Sequence, residues 1–435
     1  MTTVLFAVKN INEFLWSGPL LLLLMGTHLY FTIKLHFPQK KILEAIRMSV
    51  TPQRQDTGEN LSVFATLSTT LAATLGTGNI VGVSTAIALG GPGAIFWCWI
   101  TGILGMATAY SECFLSVRFR KTGTDGLNRG GPMYVWENGL HNRPVGGFYA
   151  LLTVIAAFGV GCTTQSNSIA QTTATSFGFP PQAAGFLAAL ISGFVVVGGI
   201  KSIGNVCVKI VPFLAVLFTA GCLLLLFLNR EALFPAIILI LQSALSPRAA
   251  AGGAVGSCLM LTVRYGIARG LFTNEAGIGT SSIAAAASGT PNPMKQAYVS
   301  MTAVFWDTVV MCLLSGLVIV TNMIKHPDSL DGVSEAGLTE AAFSYLPGGN
   351  TFLSLCLVAF AITTLIGWSY LGECAVEYLA GSRGIFLYKV IYIVMIYVGA
   401  VLPLTFVWEC TDLINACMVF PNVAALFLLR KSIKS

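Results

Sequence analysis

The chain has 435 residues, 55% of them hydrophobic and only 10% charged, with a mean hydropathy of +0.78. Soluble domains are typically about 25% charged, which excludes an ordinary soluble enzyme, and long apolar runs in place of short alternations exclude an outer-membrane barrel. The net charge of +6 is spread over loops, so it speaks of membrane orientation and offers no concentrated patch for nucleic acid. The fold class is an all-α polytopic membrane protein.

A membrane helix needs roughly 20 apolar residues to cross about 30 Å of hydrocarbon. On that measure the sequence predicts eleven spans, at 14–35, 60–89, 94–119, 148–176, 180–200, 206–228, 252–280, 296–322, 350–380, 385–407 and 411–430. The first follows Lys9 and Glu13, lacks an A-x-A cleavage site and reads as a retained helix. Segments 39–51 and 125–142 read as surface helices or loops, and 231–245 as an interfacial or re-entrant piece. Lys34, Lys40, Lys41, Arg47 and Arg54, the cluster from Arg118 to Arg143, and Arg430, Lys431 and Lys434 fall on one side. Lys9, Arg230, Arg248 and Lys325 fall on the other, as do the acidic Asp328, Asp331, Glu335 and Glu340. The positive-inside rule then places the N-terminus outside and the C-terminus inside.

Two spans are interrupted. The second carries Gly76, Gly78 and Gly82 around Thr77 and Asn79; the seventh carries Gly266, Gly270, Gly277 and Gly279 around Thr273, Asn274 and Glu275. Glycine costs a helix interior about 1 kcal/mol relative to alanine, and freed backbone must line a cavity or find partners. Close helix packing is the alternative use of such glycines. Spans 2–6 and 7–11 form two blocks of five, each opening on an interrupted helix and entering the membrane from opposite sides. This is the arithmetic of an inverted-repeat transporter with a site at the midplane. The expected units are an extra helix at 14–35, a first repeat at 60–228 and a second at 252–430.

GTGNIVG, GGPGAIFWCWITGILG at 90–105, TTQSNSIA at 163–170, RYGIARGLFTNEAGIGTS at 264–281 and TTLIGWSYLGE at 363–373 resemble blocks of the alanine/glycine:cation symporters, the sodium:alanine symporter family. The resemblance covers about residues 14 to 430 and implies a leucine-transporter-like fold. It implies backbone amides of Thr77 and Gly78 facing a substrate carboxylate, where a half-helix N-terminus supplies positive dipole. Carbonyls near Thr74 and Gly76 would face the ammonium, and Gln165, Phe272, Thr273, Asn274, Thr364 and Trp368 would complete the site. Gln165 is open to an interhelical hydrogen bond instead, and Phe272 and Trp368 to core packing. The resemblance further implies a sodium site from the carbonyls of Ala72 and Leu75 and the hydroxyls of Thr363 and Thr364; alone, such threonines more often bond their own helix. Asn79 and Thr273 stand as a second, conceivable sodium site. Cys98, Thr273 and Gly161-Cys162 depart from the commoner family residues, which leaves the cargo open among alanine, glycine and glutamine.

The expected function is sodium-driven import of a small neutral amino acid through a bacterial cytoplasmic membrane. Proton coupling or a glutamine cargo is the alternative, and the oligomeric state is open. No cofactor beyond the coupling ion is expected: the sequence has no HExxH, GxSxG or Walker motif, no histidine cluster and no CxxC. Glu112, Arg264, Arg269, Glu275, Asp307, Glu373 and Glu377 fall in or beside spans. Such charges are expensive, so the two arginines are expected to pair with some of these carboxylates, with proton relay through Glu275 or Asp307 as the alternative.

Overall fold

A computed structural model describes residues 2–51, 60–123, 126–245, 255–327, 333–402 and 405–434. Arg54, Arg248, Asp328, Asp331 and the first three residues of 252–280 lie outside the described residues. Helices α1 (Thr2–Ser17) and α2 (Pro19–Lys34) meet at Gly18, where Pro19 takes a first-turn position that needs no N–H. Then come α3 (Ile42–Val50), α4 (Val63–Thr74), α5 (Val81–Gly90) and α6 (Ala94–Arg118). A small antiparallel ribbon, Lys121–Thr122 with Asn128–Arg129, leads to α7 (Pro132–Tyr134). Helices α8 (Arg143–Phe158) and α9 (Thr164–Phe177) join through a π-helical turn at Gly159–Thr163. They are followed by α10 (Pro181–Val197), α11 (Gly199–Leu228) and α12 (Arg230–Leu245). The remainder comprises α13 (Val255–Asn274), α14 (Ser281–Ala286), α15 (Pro293–Val304), α16 (Leu313–Lys325), α17 (Leu338–Phe343), α18 (Gly349–Ala380), α19 (Ser382–Val401) and α20 (Thr405–Leu428).

Among the described residues, eight helices are long and apolar enough to cross a membrane, or nine if the bent pair α4 and α5 counts as one span. Phe186, Phe194, Phe213 and Phe386 are exposed on α10, α11 and α19; an apolar outer surface of this extent suits hydrocarbon rather than water. Across the bundle the interior holds many buried threonines and serines that donate to the carbonyl one turn back, as Thr69 does to Ala65 at 2.8 Å. Such bonds satisfy the hydroxyls without a partner helix.

Three local expectations change. Segment 231–245 forms a full helix, α12, whose Ala236 and Ala244 are buried; Gly93 lies so close to the backbone of Ser243 and Ala244 that a Cβ would meet it at 2.5 Å. Of segment 125–142, residue 125 lies outside the described residues and 126–142 is no surface loop. Met133, Tyr134 and Trp136 are buried, and Trp136 Nε1 donates to the Pro421 carbonyl at 2.9 Å. Its polar, glycine-rich sequence hides this, because Gly130 and Gly131 serve close approach to α14. In the seventh span, Gly266 and Gly270 lie within an unbroken α13. They let α13 approach α6: a Cβ on Gly266 would stand 2.4 Å from the Ala94 carbonyl oxygen.

Candidate functional site

The first break separates α4 from α5 by a 61° bend. Leu75 and Gly76 leave helical geometry, Thr77–Asn79 form one 3-10 turn, and Asn79 Oδ1 accepts from Gly76 N at 3.2 Å. The second break runs from Glu275 to Thr280, between α13 and α14, with positive φ at Glu275, Gly277 and Gly279. The first break touches the last turn of α13, just before the second. A Cβ on Gly78 would lie 2.7 Å from Thr273 Cγ2, and one on Gly76 would lie 2.9 Å from Thr364 Oγ1 and 3.5 Å from Gln165 Oε1. Glycine at these positions is therefore a matter of contact distance between segments of the chain.

A cavity of about 440 Å³ descends from the face carrying the segment before α17 to Thr77, Gly78 and Phe272. Threonines and serines of α9 form one wall, including Ser168, Thr172 and Thr175. Phe272 also borders a smaller cavity of about 200 Å³ on its other side, so its ring stands as a partition. The Arg269 guanidinium sits 5.8 Å from the centroid of that ring.

Behind the cavity floor, the last turn of α4 lies against α18. Thr364 Oγ1 donates to the Leu75 carbonyl at 3.1 Å, and a Cβ on Gly367 would meet the Ala72–Ala73 backbone at 2.8–3.1 Å. Thr363 Oγ1 donates to Phe360 O at 2.8 Å within its own helix. Trp368 is fully buried against Gly161 of the π-helical turn, where a Cβ would stand 2.2 Å from Trp368 Cβ. Thr77 Oγ1 and Gln165 Oε1 are buried without a hydrogen-bond partner among the described residues. Native buried polar atoms are rarely left so, and a small polar ligand at the first break would supply what they lack. The residues expected at the site are thus split. Gly76, Thr77, Gly78, Gln165, Phe272, Thr273 and Thr364 gather around the first break, with Trp368 behind them. Asn274 turns towards α6, its amide 3.7 Å from a Cβ on Gly105, and its Oδ1 accepts from Ala276 N. Thr74 Oγ1 donates to Thr70 O in its own helix.

One residue has a larger place here than the sequence reading assigned to it. A π-helical stretch, Phe305–Cys312 between α15 and α16, turns Asp307 inward. Asn79 Nδ2 donates to Asp307 Oδ1 at 2.5 Å, Thr308 Oγ1 donates to Oδ2 at 3.1 Å, and Thr308 Oγ1 is 3.4 Å from Thr273 Oγ1. Asp307, Asn79, Thr308 and Thr273 form one oxygen-rich cluster joining the first break to the last turn of α13 and to the π-helical stretch. A lone carboxylate in an apolar span was the available signal.

The expected pairing of the arginines is not what the structure shows. Glu373 pairs with Lys389 at 3.1 Å and Glu377 with Arg129, whereas Arg264 and Arg269 border the smaller cavity with Glu13, Glu409 and Asp412. Charge sign along the chain does not say which helices adjoin, and α13 turns these two side chains towards α1 and α20. Among the described residues, no salt bridge reaches Glu112, Glu275 or Asp307.

The model of the sodium:alanine symporter family matches residues 1–435. The chain belongs to that family. This symporter is 42% identical to the sodium/alanine symporter AgcS of Methanococcus maripaludis, over 97% of this chain and 94% of that protein. It is 35% identical to the probable sodium/glutamine symporter GlnT of Bacillus subtilis, over 97% of this chain and 87% of that protein. Among solved structures it is similar in fold to a Na+-coupled sialic acid symporter in a substrate-bound outward-open state. That match has TM-score 0.59 and 12% identity, and covers 94% of this chain and 87% of the other. A manganese transporter of Eremococcus coleocola matches with TM-score 0.52 and 16% identity, over 86% and 79% of the two chains. The symporter is a multi-pass membrane protein with a leucine-transporter-like fold, and a secondary transporter rather than an enzyme. Its activity class is symport of an amino acid with a cation.

Proposed function

We propose that this symporter imports alanine or glycine together with sodium across a bacterial cytoplasmic membrane by alternating access. The observation that carries this reading is the contact of the first break, at Gly78, with the last turn of α13, at Thr273, beneath an open cavity. At that junction the unpartnered atoms belong to neutral side chains, Thr77 and Gln165. A zwitterion brings its own two charges and needs dipoles rather than fixed ions. The amides of Thr77 and Gly78 face its carboxylate at the N-terminal end of the second half-helix. Carbonyls at Thr74 and Gly76, at the C-terminal end of the first, face its ammonium. Phe272 closes the site from the cavity side, and Gln165 contributes a polar side chain.

Sodium takes hard oxygen ligands. Ala72 and Leu75 carbonyls with Thr363 and Thr364 hydroxyls form one site in this reading, which the close approach of α4 to α18 supports. The Asn79–Thr273 pair forms a second, now with Asp307 and Thr308 beside it. We further read the architecture as eleven spans: an extra helix at 14–35 and inverted repeats at 60–228 and 252–430. Each broken helix is followed by four long helices, α12 standing between the two sets. The N-terminus is outside and the C-terminus inside.

A second reading, glutamine as cargo, is favoured by the 35% identical relative named for sodium/glutamine symport. The experiment is equilibrium binding of radiolabelled alanine to purified protein in sodium and in potassium, with glycine and glutamine as competitors. Sodium-dependent binding displaced by glycine supports the first reading. Displacement by glutamine alone moves the cargo to the second, and binding indifferent to sodium removes the coupling ion.

A further inference from the structure

Glu112 lies six residues before the end of α6 and is 2% exposed. Its Oε1 accepts from Gly277 N at 2.7 Å and from Asn422 Nδ2 at 2.6 Å, so one carboxylate oxygen ties the second break to α20. Asn422 Nδ2 also donates to the Gly277 carbonyl at 2.9 Å. The other oxygen, Oε2, is buried with no hydrogen-bond partner among the described residues. Glu112 also borders a small space of about 10 Å³, lined by Ser282 and Asn422 with apolar Leu115, Val135 and Leu426. That is close to the smallest volume that holds one water molecule. Of the three buried carboxylates that no salt bridge reaches among the described residues, Asp307 has partners on both oxygens and Glu275 accepts from Thr280 Oγ1. Glu112 has an oxygen left over.

The titratable groups around Glu112 come from four elements. Cys113 is its chain neighbour, Tyr149 stands on α8, Glu275 in the break, and His28 of α2 faces Gly277. Tyr149 Oη donates to Ile278 O, and His28 Nδ1 bonds Thr108 Oγ1. None of these is an ion-pair partner of Glu112. A buried carboxylate without a cation is costly as an anion and is relieved by taking a proton.

We propose that Glu112 is a proton-binding site that clasps the second helix break to α6 and α20. A hydronium ion entering the small cavity gives its proton to Oε2: one O–H bond forms, one breaks, and a water is left behind. The carboxylate becomes a neutral acid, so its bonds from Gly277 N and Asn422 Nδ2 lose their charge-assisted strength. The loop at 275–280, held in left-handed geometry at three positions, is then released from α6 and α20. The site lies towards the face we read as cytoplasmic, so its occupancy follows inside pH and biases inward opening.

The test is an infrared titration of carboxyl protonation on the reconstituted full chain, from about pH 5 to pH 9. It needs neither alanine nor sodium, so its result is separate from that of the symport reading. The expected result is a titrating carboxyl in the wild type that Glu112→Gln removes and Glu275→Gln retains. Asn422→Leu takes away one donor to the anion, and should move the midpoint upward by about one unit. A titration intact in Glu112→Gln, or absent from the wild type, overturns the proposal. If Glu112→Gln fails to insert, an unmoved midpoint in Asn422→Leu overturns it. For the clasp itself, solute exchange by the wild type should follow the same midpoint in lumenal pH and lose that dependence in Glu112→Gln. A wild-type rate indifferent to lumenal pH contradicts the clasp.

Discussion

Gly161 touches Trp368 more closely than any side chain at that position would allow, its absent Cβ falling 2.2 Å from Trp368 Cβ. Gly161→Ala should therefore force the π-helical turn and α18 apart, costing about 1–3 kcal/mol of stability, with weaker alanine binding. Gly147→Ala is the contrast, since only Leu379 approaches, at 4.0 Å; there helix propensity should stabilise by up to about 1 kcal/mol. Thermal unfolding of the two purified variants decides between these effects. Asp307→Asn removes the one formal charge from the cluster joining Asn79, Thr308 and Thr273. It should raise the sodium concentration for half-maximal alanine binding about tenfold or more, a coupling of roughly 1.4 kcal/mol, while an unchanged sodium dependence would exclude Asp307 from cation binding. At this scale the sequence was informative where a residue type is rare for its setting: glycine, asparagine or aspartate in an apolar run. It was silent on Gly161 beside Trp368, because the two are far apart in the chain and neither is unusual in a membrane helix.

Broken helices were legible as elements because polar residues accompany the glycines. The extent of the second break was not. Gly266 and Gly270 lie in the same cluster as Gly277 and Gly279, yet the first two sit in helix against α6 and the last two take positive φ. Period and composition cannot distinguish a glycine used for contact from one used for backbone freedom. The difference is testable with Gly277→Ala, which meets both a φ of +95° and Leu24 Cδ2 at 2.2 Å. Transport should be lost or severely reduced, and Leu24→Ala in the same chain should restore part of it by removing the clash but not the strain. Full restoration would make contact the whole reason for this glycine. Segment 125–142 was likewise illegible as an element, since its polar composition describes a loop while its aromatic residues insert between helices.

For the whole molecule, hydropathy sufficed for the class of architecture, and the net neutrality of the proposed cargo bears on energetics. A zwitterion carries no net charge, so each sodium that accompanies it moves one charge across the membrane. Inside-negative potential should then drive uptake, by about 2.3 kcal/mol per 100 mV for one sodium, or roughly a fifty-fold concentration ratio. The measurement is uptake of radiolabelled alanine into proteoliposomes with an inward sodium gradient, against equal potassium and against a proton gradient, with Asn79→Ala in parallel. Accumulation above equilibrium only with sodium, increased by an inside-negative potential and abolished by Asn79→Ala, is the predicted result. Accumulation driven equally by protons without sodium, or none for alanine or glycine in correctly inserted protein, would contradict sodium-coupled import at the first break.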